Sequence, residues 1–140
     1  MIVYLDTSSV IPLLIDEPSS PMCIRLWNEA TRVVSVRLLY AEARAALAQA
    51  HRMARISLRQ LTTAVVQLDA LAGEMGFVEV TDALVRSAGS LAQAHWLKGY
   101  DALHLAAAHM LSDDDTVLVS GDRQLIGAAA REGLGTALTQ

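Results

Sequence analysis

The sequence predicts an α/β fold with three α/β/α layers, in which a central, mainly parallel sheet of four to five strands lies between helices. Short runs rich in β-branched and apolar residues alternate along the chain with longer segments of helical spacing. Strands that alternate with helices require crossover connections, and these favour parallel pairing with helices on both faces. We expect one domain, residues 1–140, because a chain of this length is too short for two ordinary cores.

The first strand and the helix after it are clearly marked. Ile2–Leu5 is apolar, and Asp6 begins a stretch of Asp, Thr and Ser that is typical of a helix N-terminus. We expect this helix to end near Asp16, shortly before Pro18. A second helix is predicted over residues 21–30, since proline suits a first helical turn.

The later elements follow from residue type and spacing. We expect strands over residues 31–36, 77–80 and 116–120, a short edge strand at residues 136–138, and helices over residues 38–53, 58–75, 82–95, 100–111 and 122–131. Ser57 and Thr81 are expected to cap the helices that follow them, and Lys98 and Gly99 mark a break. The acidic run at residues 113–115 indicates a solvated turn.

Composition excludes some classes of protein. Hydrophobic residues make up 53% of the chain and no apolar run approaches the roughly 18 to 20 residues of a membrane span, so we expect no membrane association. The apolar surplus instead suggests a buried partner surface.

The net charge of −4 argues against binding nucleic acid by bulk electrostatics. Cys23 is the only cysteine, which excludes an intrachain disulfide, and no signal pattern opens the chain, so we expect a cytoplasmic protein.

Four acidic residues fall where a parallel sheet forms its ligand crevice. Asp6 directly follows the first strand and Asp122 lies two residues after the fourth, so both are expected at the carboxyl edge of the sheet. Glu42 lies four positions from both Leu38 and Ala46 on an apolar helix face, where an ionised carboxylate needs a cation to compensate its desolvation. Asp101 lies in the first turn of an otherwise apolar helix.

Each acid also has a purely structural interpretation. Asp6 and Asp122 suit helix caps, and Asp101 suits the dipole of its helix. Convergence of all four on one pocket would create repulsion that a hard divalent cation such as Mg²⁺ or Mn²⁺ compensates. His104, three positions after Asp101, allows a transition-metal pair, but the absence of a matching Cys or second His favours a structural role for it.

Four segments together resemble the successive motifs of the PIN domain, a family of ribonucleases. They are YLDTSS at residues 4–9, YAEARAAL at residues 40–47, YDALHLAAA at residues 100–108 and VLVSGDRQL at residues 117–125. The resemblance spans nearly the whole chain, whose length is similar to that of VapC toxins in particular. It implies a PIN-like fold in which Asp6, Glu42, Asp101 and Asp122 are the catalytic acids that hold one or two Mg²⁺ ions, with Mn²⁺ as a substitute.

The resemblance also implies roles for nearby hydroxyls. Ser120 occupies a position where the family often carries Thr, and this change keeps the hydroxyl. Thr7 and Ser8 are candidates to contribute hydroxyls to the same pocket, although helix capping explains them equally well. The position of the fourth acid varies in the family, which makes Asp122 the least secure of the four.

The activity implied is that of an endoribonuclease that hydrolyses RNA with a metal-activated water, as the toxin of a type II toxin–antitoxin module. Implied partners are single-stranded or looped RNA, a VapB-like antitoxin that blocks the site, and a second copy in a homodimer. The Ala-rich helices over residues 38–53 and 58–75 are the expected partner surface.

Rival functions come from other classes of protein. A phosphatase of the haloacid dehalogenase type needs Asp where Ser8 stands, and a receiver domain needs a lysine after a late strand, whereas the only lysine is Lys98. A non-catalytic PIN-like module that binds RNA or protein stays open as the alternative.

Overall fold

A parallel β-sheet forms the centre of the protein in the computed structural model, which describes residues 1–111 and 115–140. The strands are β1 (Ile2–Leu5), β2 (Arg32–Val36), β3 (Gly76–Val78), β4 (Thr116–Ser120) and β5 (Gly135–Leu138). The helices are α1 (Thr7–Leu14), α2 (Ser20–Glu29), α3 (Leu39–Arg52), α4 (Leu58–Glu74), α5 (Asp82–His95), α6 (Gly99–Met110) and α7 (Arg123–Arg131). The alternating strands and helices therefore confirm the predicted α/β fold.

The strand order is β3-β2-β1-β4-β5, and each neighbouring pair is parallel. The chain builds outward from β1 in one direction through β2 and β3, and in the other through β4 and β5. Such a change of direction leaves a crevice at the carboxyl ends of the two central strands. Leu5 is in register with Val119, so the segments that follow β1 and β4 leave the sheet side by side.

Alternation along the strands divides the interior into two cores. Val3 and Leu5 belong to a buried cluster that includes residues of α1, α2, α3 and α4. Tyr4 points to the opposite face and belongs to a cluster with residues of α5, α6 and α7. The molecule therefore has the predicted three α/β/α layers, and one central strand contributes to both cores.

Some element boundaries differ from the prediction. Helix α1 ends at Leu14, because Ile15 already adopts extended dihedrals of φ −134° and ψ 152°. Strand β3 ends at Val78, which is paired with Val36. The break before α6 is centred on Trp96, which takes a left-handed conformation with φ 58°.

The predicted caps of α4 and α5 are confirmed. Ser57 and Gln60 form a reciprocal capping box, in which each side chain accepts a hydrogen bond from the backbone N–H of the other. The Thr81 hydroxyl accepts from Leu84 N at 3.1 Å. Within the described ranges, 1–111 and 115–140, no helix is both long and apolar enough to cross a membrane.

The predicted acidic turn before β4 is described only at its last residue, since Asp113 and Asp114 lie outside the described residues. The carboxylate of Asp115 is 72% exposed and pairs with the N-terminal amine of Met1 at 2.9 Å. This ion pair ties the start of β1 to the start of β4.

Candidate functional site

A cavity of about 210 Å³ lies at the carboxyl edge of the sheet, beside the ends of β1 and β4. Its lining contains all four acids selected from the sequence and is formed by Asp6, Thr7, Ser8, Glu42, Asp101, His104 and Asp122. A larger cavity of about 610 Å³ lies beside α4 and contains none of the four. The smaller cavity is therefore the candidate site, because all four predicted acids line it.

Asp6 is almost completely buried and accepts several hydrogen bonds. Its Oδ1 accepts from Ser8 Oγ at 2.7 Å and from the backbone N and Oγ of Ser9 at 3.2 and 3.1 Å. Its Oδ2 accepts from Ser120 Oγ at 2.6 Å. Asp6 is thus the N-cap of α1 and also a lining residue of the cavity, so its capping role and its place in the site are compatible.

Asp122 has the same double position at the start of α7. Its Oδ1 accepts from the backbone N–H groups of Gln124 at 2.9 Å and Leu125 at 3.3 Å. Its own N–H donates to Ser120 Oγ at 2.9 Å. Because the Ser120 hydroxyl also donates to Asp6, this one side chain connects the two strand-end acids.

Glu42 reaches the cavity from α3 and is held there by a histidine. His104 Nε2 lies 2.9 Å from Glu42 Oε1, and His104 Nδ1 lies 2.9 Å from the hydroxyl of Tyr4. His104 is only 2% exposed and Tyr4 is fully buried. The sequence predicted a cation as the partner of this carboxylate, whereas the structure gives it a buried histidine.

Sequence reasoning missed this pairing of His104. It weighed His104 only against Asp101 on the same helix, whereas the hydrogen-bonded partner lies 62 positions away. One signal was available: a histidine on an apolar helix face needs a polar partner when buried. The helix that faces it across the crevice carries Glu42.

Asp101 lies in the first turn of α6 and is partly buried. Burial raises the pKa of its carboxyl above the usual range, and the negative charge of Asp122 raises that pKa further. Asp6 and Glu42 act in the same direction, whereas His104 opposes them. The charges of the other three acids therefore all act on Asp101.

A family model of the PIN domain matches residues 3–131 of the chain. The chain belongs to the PIN domain family. A relative named Ribonuclease VapC45, from Mycobacterium tuberculosis (strain CDC 1551 / Oshkosh), is 36% identical to this PIN domain over 139 residues, which cover 99% of this chain and 96% of the relative.

Solved structures share the fold of this PIN domain. A toxin–antitoxin complex from Klebsiella pneumoniae matches with a TM-score of 0.67 and 14% identity, covering 99% of this chain and 98% of the other. VapBC2 from Rickettsia felis, bound to a DNA fragment from its promoter, matches with the same TM-score, identity and coverage. At this level of identity the structural matches support the fold alone.

The donor chemistry of the PIN-domain cavity fits a hard divalent cation. Four carboxylates line it, and oxygen is the ligand that Mg²⁺ and Mn²⁺ prefer. Thr7, which also lines the cavity, has a buried hydroxyl without a hydrogen-bond partner in the described residues.

The side chains are not arranged as a closed ion site. Within residues 1–111 and 115–140, no three His, Cys, Asp or Glu side chains are placed to hold an ion together. In the present arrangement serine hydroxyls bind both oxygens of Asp6, and Oε1 of Glu42 contacts His104. The cavity thus gathers suitable ligands without setting their final geometry.

Proposed function

We propose that this PIN domain is a metal-dependent endoribonuclease and the toxin of a type II toxin–antitoxin module. The main support is the convergence of Asp6, Glu42, Asp101 and Asp122 on one cavity at the carboxyl edge of the sheet. Further support comes from the relative named as a ribonuclease, which is aligned over nearly its full length. The fold is also shared with chains of toxin–antitoxin complexes.

The four acids are proposed to hold one or two Mg²⁺ ions, for which Mn²⁺ is the expected substitute. Asp6 and Asp122 approach from the ends of β1 and β4, and Glu42 and Asp101 approach from α3 and α6. A bound divalent cation lowers the pKa of a water and stabilises charge on the phosphate. The chain supplies the negative cavity that attracts such a cation and the rigid elements that carry its ligands.

RNA is the proposed substrate, in a single-stranded or looped form. A phosphodiester must be splayed out of a helix to reach acids in a recess. In-line attack by water leaves a 5′ phosphate and a 3′ hydroxyl, because the 2′-hydroxyl is not the nucleophile. Detection of a 2′,3′-cyclic phosphate among the products would contradict this reaction.

The proposed setting is the cytoplasm, where the lone buried thiol of Cys23 stays reduced. We expect residues 1–140 to act as one PIN domain, since the two cores share a single sheet. The proposed partners are a VapB-like antitoxin, which blocks the acidic cavity, and a second copy of the chain in a homodimer. These assignments rest on the similarity to toxins rather than on a contact within the molecule.

A cleavage assay on labelled RNA tests the proposal. The wild type is compared with Asp6→Asn and Asp101→Asn in Mg²⁺ or Mn²⁺, and each substitution is expected to lower the rate at least about 100-fold. Asp82→Asn is the matched control, because Asp82 lies at the exposed start of α5, outside the cavity lining.

A rate within about twofold of wild type for either site variant would reject the enzyme. RNA binding without cleavage in both cations would favour the alternative, a non-catalytic PIN-like module. If Asp82→Asn lowers the cleavage rate as much as the two site variants do, the assay responds to something other than the cavity acids.

A further inference from the structure

A buried hydrogen-bonded chain links the sheet to the candidate site. It runs from the Tyr4 hydroxyl to His104 Nδ1 over 2.9 Å, and from His104 Nε2 to Glu42 Oε1 over another 2.9 Å. The rings of Tyr4 and His104 meet edge to face, with centroids 5.8 Å apart and planes at 81°. Tyr4 is on β1, His104 on α6 and Glu42 on α3, so the chain joins elements from all three layers.

The chemistry of these groups sets the direction of the hydrogen bonds. An ionised carboxylate only accepts, so Nε2 of His104 must carry the proton that it shares with Glu42. The Tyr4 hydroxyl, which can both donate and accept, is the hydrogen-bond partner of Nδ1 on the same ring.

We propose that Tyr4 and His104 are positioning residues that hold the carboxylate of Glu42 at the acidic cavity, with the Tyr4 hydroxyl fixing the orientation of the His104 ring. The inference rests on the proposed function, in which Glu42 is a cation ligand. Glutamate has a long, flexible side chain, and in this cavity it faces three other carboxylates that repel it. The N–H donor of His104 fixes one oxygen of Glu42 and so holds the carboxylate in the cavity lining.

The hydrogen bonds of the ring are tested first, in the metal-free protein, by ¹⁵N NMR of the histidines. Nε2 of His104 is expected to carry the proton of the hydrogen bond with Glu42. A ring whose Nε2 carries no proton would overturn the proposal. Tyr4→Phe removes only the hydroxyl, and we expect the signal of Nδ1 to change; an unchanged spectrum in that variant would also overturn the proposal.

Cation affinity is tested second, by titrating Mn²⁺ in the absence of RNA. His104→Leu is expected to weaken Mn²⁺ binding about tenfold, the usual scale for removing a group that orients a ligand. His104→Gln keeps an N–H donor near the position of Nε2 and should recover most of that loss. The positioning role would be contradicted if His104→Leu bound Mn²⁺ as tightly as the wild type. It would also be contradicted if His104→Leu and His104→Gln lost the same amount of Mn²⁺ affinity.

A matched control separates this role from general damage. His95 is also a largely buried histidine on a glutamate, with Nε2 at 2.6 Å from Glu132 Oε1, and it lies outside the acidic cavity. His95→Leu should leave Mn²⁺ affinity unchanged, and a loss equal to that of His104→Leu would refute the proposal.

Glu42→Gln distinguishes the two proposals. If Glu42→Gln binds Mn²⁺ as well as the wild type, Glu42 is not a ligand and the proposed function loses that residue, whatever the orientation of the His104 ring. If Glu42→Gln loses affinity while Tyr4→Phe and His104→Leu keep it, the positioning proposal alone fails.

Discussion

Asp6 and Ser120 lie 114 positions apart in the chain, and the Ser120 hydroxyl donates to Asp6 Oδ2 over 2.6 Å. The contact exists because β1 and β4 are parallel neighbours in register, which brings the ends of the two strands together. The same hydroxyl accepts from the N–H of Asp122 at 2.9 Å. Ser120 therefore orients the acids at both strand ends and is fully buried in doing so.

Ser120→Ala is expected to destabilise the protein by about 1–3 kcal/mol, because it leaves a buried carboxylate oxygen and a partly buried N–H without this partner. Urea denaturation measures this change in the free energy of unfolding. Ser35→Ala is the control, since Ser35 is equally buried but its hydroxyl donates to a neutral acceptor, the carbonyl of Leu5, at 2.7 Å. A larger loss in Ser35→Ala than in Ser120→Ala would contradict this account.

Asp101→Asn is expected to raise the melting temperature of the metal-free protein at neutral pH. The pKa of Asp101 is raised in the folded state, first by burial and then by Asp122, so folding favours the protonated carboxyl. The contribution of that carboxyl to stability is fully present below its ordinary pKa of 3.8 and is lost as the pH rises through the raised value. The melting temperature of the variant should therefore exceed that of the wild type by a larger margin as the pH increases.

Melting curves in EDTA at about pH 4 and pH 7 measure that gain. If the difference in melting temperature between Asp101→Asn and the wild type is the same or smaller at the higher pH, ionisation of the carboxylate is not its source.

Asp6→Asn is expected to behave differently. Charge repulsion alone predicts a higher melting temperature for this variant too, but Asp6 accepts hydrogen bonds from Ser9 and Ser120 that an amide cannot fully reproduce. We expect Asp6→Asn to lower the melting temperature.

Local signals in the sequence were sufficient for most of the fold. The apolar run of β1 is followed directly by a capping residue, and the capping box at Ser57 marks the start of α4; both features act within a few residues. The parallel pairing of the strands followed from the alternation of strands and helices, because crossover connections between strands leave few alternatives. The convergence of the four acids at the carboxyl edge was predictable for the same reason.

The less predictable features depend on tertiary contacts. Ser120 was predicted to keep a useful hydroxyl, but its link to Asp6 depends on the register between β1 and β4. The Tyr4–His104–Glu42 chain joins three elements that are far apart in sequence, and no local spacing encodes it. Whether the acids close around an ion depends on side-chain rotamers, which the sequence pattern does not specify.

Gly135→Ala is expected to destabilise the protein, because an added Cβ would lie 2.8 Å from the carbonyl oxygen of Thr116. That oxygen belongs to the backbone of β4, so the two strands must separate to relieve the contact, and overpacking of this kind typically costs about 1–3 kcal/mol. Gly73→Ala is the control: its Cβ meets no atom within 4 Å and it lies in α4, where alanine is the better helix former. Denaturation midpoints should move in opposite directions, and a fall in both would contradict the steric explanation.

Mg²⁺ or Mn²⁺ is expected to stabilise the folded protein through the acidic cavity. A ligand that binds only the folded state stabilises it by about 2.7 kcal/mol at 100 times its Kd, which raises the melting temperature. The rise on adding the cation should be greater in the wild type than in Glu42→Gln or Asp101→Asn, because each variant lacks one proposed ligand and one of the charges that attract the ion. Asp82→Asn should retain the full wild-type rise, since Asp82 lies outside the cavity lining. Equal rises in the wild type and both cavity variants would mean that the cation acts elsewhere, by general screening of a chain with a net charge of −4.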